Sequence, residues 1–263
     1  STLHKAAKTT MIETQNLITS FGLLKAVDNV SLSVAKGTIT GLIGPNGAGK
    51  STLFNTLTGV IRPTSGEIHF DGIRTTKSPP DVLFRQGLAH TFQIPRPFPQ
   101  MTVLENLMLA PTGQVGESLF APFFMMKKVK RQEREIQAKA MDILTFTTLD
   151  TMANDPAGKL SGGQMKLLEL ARVLMGDPKV ILLDEPAAGV SPALTEILVE
   201  KIKDLNARGH TFFIIEHDMD FIMRHCEPVI AMVSGHVVFE GSGEAARSDP
   251  QLVNAYLGDM TYE

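Results

Sequence analysis

The stretch Gly44-Pro45-Asn46-Gly47-Ala48-Gly49-Lys50-Ser51-Thr52 decides the fold. Before it runs Thr38-Ile39-Thr40-Gly41-Leu42-Ile43, a short apolar segment that reads as a buried strand. After it, Leu53, Phe54 and Leu57 recur at helical spacing. A strand, a glycine-rich turn and a helix form the setting of a phosphate-binding loop, and the pattern G-x-x-x-x-G-K-[ST] is matched without a gap. Glycines let the backbone curl so that several N–H groups converge on one anion, and the following helix adds the positive end of its dipole. In such a loop Asn46, Gly47, Ala48, Gly49 and Thr52 offer backbone N–H groups. Lys50 offers a mobile charge to the outer phosphates and Ser51 a hydroxyl to Mg²⁺. The expected ligand is a nucleoside triphosphate.

Working outward, Lys179-Val180-Ile181-Leu182-Leu183-Asp184-Glu185-Pro186 reads as a second buried strand, ending in two carboxylates. Asp184 is placed to reach the Mg²⁺ held by Ser51. Glu185 points elsewhere and can hold a water against the terminal phosphate. His210 to Ile215 is another apolar strand, with Glu216-His217-Asp218 at its end. Leu160-Ser161-Gly162-Gly163-Gln164 opens a helix without a carboxylate in its first turn, which together with a free Ser161 hydroxyl suits an anion.

Around these lie alternating strands at 12–18, 26–34 and 67–72, with Ser20-Phe21-Gly22 read as a turn. Thr102 and Glu105 form a capping box ahead of an apolar helix. Helices are expected at 79–87, 192–205, 219–226 and 250–257, and a hairpin across Ser234-Gly235. Strands alternating with helices argue for an α/β fold with a mainly parallel sheet covered on both faces.

Composition narrows the classes. At 263 residues and 43% hydrophobic, the chain can bury a sizeable core. A net charge of −3 gives no general attraction to nucleic acid, so none is expected as a partner. A single cysteine, Cys226, excludes an internal disulfide. No run approaches the roughly 18 apolar residues of a membrane span. Residues 1–10 lack an apolar core and read as a mobile tail, not a secretory signal.

The order and spacing of Gly44–Thr52, Leu160–Gln164 and Val180–Pro186 resemble the ATP-binding-cassette ATPases. Gln93 resembles their Q-loop glutamine, a Mg²⁺ and water ligand. His217 resembles the switch histidine that contacts the terminal phosphate. Phe21 resembles the aromatic residue that stacks on adenine, with Val27 as a second adenine contact and ordinary packing as the competing reading. The resemblance covers residues 11–257. It implies a P-loop NTPase fold over 11–260, with a RecA-like core, an antiparallel β subdomain and an α-helical subdomain at about 95–165. It also implies ATP and Mg²⁺ as ligands and two cassettes paired head to tail, Ser161, Gly162, Gly163 and Gln164 of one facing the phosphate loop of the other. A homo- or heterodimer of cassettes would then drive two transmembrane permease subunits, from the cytoplasmic side of the inner membrane and with no span of its own.

His90-Thr91-Phe92-Gln93, Phe98-Pro99-Gln100-Met101-Thr102-Val103-Leu104-Glu105-Asn106, the insertion at 112–131 and Ala255-Tyr256-Leu257-Gly258 resemble the branched-chain amino acid importers, in particular their larger ATPase subunit, the LivG type. That resemblance implies a periplasmic substrate-binding protein as an indirect partner. Relatives of that type import other neutral amino acids, urea or short amides with much the same ATPase, and lipopolysaccharide export, by a cassette with the same Ala-Gly-Val turn, is the alternative. Four positions depart from the patterns: Ser191 where aspartate is frequent in the cassette ATPases, and, against the importers, His90 where arginine is common and Glu227-Pro228 where Asp-Arg is common. The insertion carries Phe120 to Met126 followed by Lys127-Lys128-Val129-Lys130-Arg131. This reads as a small local core, or as a surface near the permease or lipid headgroups.

Overall fold

Two strands of twelve residues, β1 (Thr10–Phe21) and β2 (Leu24–Ala35), open the fold in a computed structural model that describes residues 9–91, 97–109, 126–250 and 252. Gly22, at φ +61°, makes the reversal between them. Ser20 and Phe21, expected in the turn, extend β1 instead, because Phe21 pairs with Leu24 across the hairpin. Thr10 already belongs to β1 and the Lys36 N–H donates to the Thr9 carbonyl, so the pairing reaches into the end of the expected tail. With β4 (Ser65–Phe70) and β5 (Ile73–Arg74) these strands form an antiparallel sheet in the order β2-β1-β4-β5.

The second sheet is the mainly parallel one. Its strands are β3 (Ile39–Ile43), β6 (Leu88–His90), β7 (Val180–Asp184), β8 (Thr211–Ile215), β9 (Val229–Val233) and β10 (His236–Gly241). They lie in the order β10-β9-β3-β8-β7-β6. Strands β9, β3, β8 and β7 are parallel neighbours, and β10 returns antiparallel across Ser234-Gly235. Both faces are buried, as the unbroken apolar runs require. Leu42, Leu182, Phe213, Ile215 and Ile230 face a core shared with the antiparallel sheet and with α1 (Lys50–Leu57). There Phe54 and Phe213 meet at 4.9 Å between ring centres. On the opposite face α7 (Met219–His225) packs so closely that a Cβ on Gly41 would lie 2.9 Å from Ile222.

The other α-helices among the described residues are α2 (Pro80–Gln86), α3 (Val103–Met108), α4 (Met126–Phe146), α5 (Gly162–Leu174), α6 (Pro192–Ala207) and α8 (Gly243–Arg247). The expected capping box is present: the Thr102 hydroxyl accepts the Glu105 N–H and the Glu105 carboxylate accepts the Thr102 N–H. Of the expected insertion only its C-terminal part, within α4, is described, and the expected terminal helix at 250–257 lies almost wholly outside the described residues.

The chain divides into two compact units. One holds both sheets and comprises the residues up to Ala89, Lys179–Pro186 and those from Ile202 onward. The other, His90–Pro178 with Ala187–Lys201, is built from helices. Its packing brings α3 against α4 and α5, and Lys201 lies over the Phe146 ring at 5.4 Å.

Candidate functional site

The phosphate loop connects β3 to α1 and is held by its neighbours at glycines. Gly44, Gly47 and Gly49 have φ of 151°, 77° and 97°. A Cβ on Gly44 would lie 2.1 Å from the Met232 carbonyl oxygen, and one on Gly49 2.0 Å from that of Ala26. The Gly235 N–H donates to the Ala48 carbonyl (3.0 Å), and the Asp28 N–H donates to Gly235 (2.9 Å). The loop is thus clamped between β2 and the β9–β10 hairpin. These buttresses lie about 20 residues before and 185 after the loop, so no local pattern announces them.

No side chain caps the start of α1 and no acidic residue lies in its first turn, so its leading N–H groups can receive an anion without competition from a carboxylate there. Lys50 is only 6% exposed. Its ammonium donates to the carbonyls of Gly44 (2.6 Å) and Pro45 (3.0 Å), which fixes the charged end against the loop's own backbone.

Asp184 ends β7 and Glu185 follows it, in the same unit as the loop. Asp184 has its pKa raised, first by burial and then by the neighbouring charge of Glu185. The Ser51 hydroxyl, Lys50 and His217 act in the opposite direction. Asp184 Oδ1 is buried with no hydrogen-bond partner among the described residues. An orphaned carboxylate oxygen beside a serine hydroxyl is a suitable donor set for a hard divalent cation such as Mg²⁺.

Glu185 sits in the left-handed region at φ +49°, its N–H bonded to the Ile215 carbonyl at 2.9 Å. A non-glycine residue held there is strained, and strain of this kind gathers at functional sites. The Glu185 carboxylate meets His217, whose Nε2 lies 2.6 Å from Oε1. With Glu185 ionised, the ring nitrogen is the donor. Both side chains are more than 40% exposed. Beyond His217, Asp218 caps α7 by accepting the N–H groups of Asp220 and Phe221. The cap fixes the chain direction just after the histidine, a role legible in the Asp-x-x-apolar spacing but not assigned to it.

Ser161, Gly162, Gly163 and Gln164 begin α5 in the helix-rich unit. Two expectations change here. The Ser161 hydroxyl is not free: it accepts the Gln164 N–H (3.3 Å), while Gln164 Oε1 accepts the Ser161 N–H (2.9 Å). This capping box engages the Gln164 side chain in the helix and leaves Ser161 its hydroxyl proton to donate. Gly163 is buried, and a Cβ there would lie 2.5 Å from Leu194, so close packing against α6 demands the glycine. Ser161 and Gly162 are exposed.

Phe21 is 52% exposed at the end of β1, where a flat ring can be covered by another. Val27 is corrected: it has no exposed surface and belongs to the core, because its side chain points inward from β2. Ala48, 2% exposed, can contribute only its backbone. Gln93 lies outside the described residues.

Comparison with known proteins identifies the family. Residues 27–188 match the family model for "ABC transporter". The chain is 42% identical over 253 residues, 96% of its own length and 97% of the relative's, to a probable branched-chain amino acid transport ATP-binding protein LivG of Archaeoglobus fulgidus. Among solved structures, it is similar to the ADP conformation of an ATP-binding cassette of an ABC transporter, with 38% identity and a TM-score of 0.82 over 95% of this chain and 99% of that one. It is also similar to a dimeric post-hydrolysis cassette bound to ADP and Pi, with 27% identity and a TM-score of 0.72 over 88% of this chain and 98% of that one. The chain belongs to the ABC transporter family, as one of its ATP-hydrolysing cassettes.

Proposed function

We propose that this cassette energises a membrane importer of branched-chain or related neutral amino acids, working as a pair of cassettes beneath two permease subunits on the cytoplasmic face of the inner membrane. A periplasmic binding protein would deliver the substrate. The relative named for branched-chain amino acid transport, matched over nearly all of both chains, supports the substrate class. The dimeric cassette supports the pairing. No helix among the described residues is long and apolar enough to cross a membrane, so attachment is assigned to the permeases.

One observation carries the chemistry: Glu185 and His217, 2.6 Å apart, share a unit with a phosphate loop whose lysine is buried. The loop N–H groups, Lys50 and the start of α1 bind and orient the phosphates of ATP. Asp184 and Ser51, with Gln93, would hold Mg²⁺, which when bound neutralises charge on the phosphate oxygens. Glu185 takes the proton of the attacking water. His217 holds the Glu185 carboxylate in place and offers its ring to the terminal phosphate. Phe21 stacks on the adenine. Ser161 and Gly162 of a second cassette close the site from the other side, the Ser161 hydroxyl donating to a phosphate oxygen.

Glu185→Gln tests this. It keeps shape and hydrogen bonding but cannot accept the proton, so ATP binding is expected to stay near normal while turnover falls about 10²- to 10⁴-fold. The variant should collect as an ATP-bridged dimer on size exclusion. Turnover within a few-fold of the unmodified protein would remove Glu185 from the base role.

A further inference from the structure

Asn106 is fully buried in α3, and each polar atom of its side chain is used. Its Oδ1 accepts the Phe98 N–H (2.8 Å), and its Nδ2 donates to the carbonyls of Phe98 (3.0 Å) and Thr102 (2.9 Å). The amide thus pairs with both backbone groups of Phe98, as a neighbouring strand would. An aliphatic side chain of similar size would leave the Phe98 N–H unmet and its C=O with only the Met101 N–H at 3.2 Å. The Asn106 carbonyl in turn accepts the Nε–H of Arg172 at 3.2 Å. Arg172 stands in the last turn of α5 and is 3% exposed. Burial lowers its pKa, against the charge of Glu169. A guanidinium placed there is a costly element to retain for packing alone.

A second set of bonds runs beside this clamp. The Ala157 N–H donates to Met101 (2.9 Å) and the Gly158 N–H to Pro99 (3.0 Å). Val103 and Leu104 donate to Asp155 (3.0 Å) and Ala153 (2.9 Å). Only Lys159 and Leu160 separate Gly158 from Ser161. The segment from Phe98 to Leu104 is therefore tied twice to the element that carries Ser161: through the backbone at its N-terminal approach, and through Asn106 and Arg172 to its far end. Phe98 itself presents a ring that is 47% exposed on this mount.

We infer that Asn106 and Arg172 are positioning residues for Ser161 and Gly162: they bind the Phe98–Met101 segment and helix α5 into one lever, which holds the approach to Ser161 in place. The inference rests on the reading that Ser161 meets the nucleotide of a second cassette.

Hydrogen exchange on the full chain tests the lever without requiring that pairing. Asn106→Ala should speed exchange about tenfold in peptides covering 153–165 as well as 98–106, with the phosphate-loop peptide 44–52 unchanged. In a Glu185→Gln background the same change should raise the ATP concentration needed for dimerisation about tenfold, with nucleotide affinity of the monomer unaltered. Should Asn106→Ala not yield folded protein, Arg172→Met is read in the same way, and Arg172→Lys should restore most of the loss. Faster exchange confined to 98–106, or faster exchange everywhere including 44–52, would overturn the inference. So would a variant with unchanged exchange at 153–165. If Glu185→Gln alone stays monomeric with ATP, the pairing fails, while the exchange pattern still judges the lever.

Discussion

Asp184 shows how one residue is set for its task at a cost to the resting protein. Burial and the charge of Glu185 raise its pKa, so the folded chain holds that proton more tightly than the unfolded chain does. The associated stability is present below the ordinary carboxylate range and is lost as pH rises through the raised value. At neutral pH the ionised, partly orphaned carboxylate is therefore a destabilising element. Asp184→Asn should raise the melting midpoint at pH 8. The gain should shrink as pH is lowered, and ATP turnover should be lost. A thermal melt series across pH decides the matter: a variant that melts lower at pH 8 would contradict this account. Glu185 makes the same point through the backbone, since it is held at a left-handed φ while its carboxylate meets His217.

The phosphate loop is the element whose shape depends most on what touches it. Its glycines are not equivalent. At Gly47 an added Cβ meets nothing within 4 Å, so Gly47→Ala should cost only the strain of the left-handed backbone, about 1 kcal/mol. At Gly49 the Cβ would strike the Ala26 carbonyl at 2.0 Å, so β2 or the loop must move. Gly49→Ala should cost about 3 kcal/mol in urea unfolding and weaken nucleotide binding well beyond the effect at Gly47. Equal costs at the two positions would show that the clamp by β2 is unimportant. The sequence pattern names both glycines alike; only the partners distinguish them. The start of α5 teaches a similar lesson, since the box between Ser161 and Gln164 follows the same Ser/Thr-x-x-Glu/Gln spacing as that at Thr102. The spacing is legible in both, yet an anion-site reading of Ser161 passed over the cap that occupies its lone pair.

At the scale of the whole molecule, the proposed pairing would make this site half of a working one. One unit holds the phosphate loop, Asp184, Glu185 and His217, and the other holds Ser161 and Gly162. If Ser161 serves the nucleotide of another copy, activity follows mass action. Turnover per chain should then fall about tenfold for each tenfold dilution below the dimer's dissociation constant. A specific activity independent of concentration would mean that each cassette works alone.

The sequence by itself determined the strands that bear the site, because apolar runs of five or six residues buried on both faces leave few alternatives, and the motifs stand at their ends. It determined the phosphate loop, the carboxylate pair and the cap at Thr102, since each is a short-range pattern with a local cause. Tertiary structure alone decided which glycines are indispensable, that Val27 is core, that Glu185 meets His217, and that Arg172 is bonded to the Asn106 carbonyl. These depend on contacts between residues far apart in the chain, and such contacts are set by how the sheets and helices close on one another.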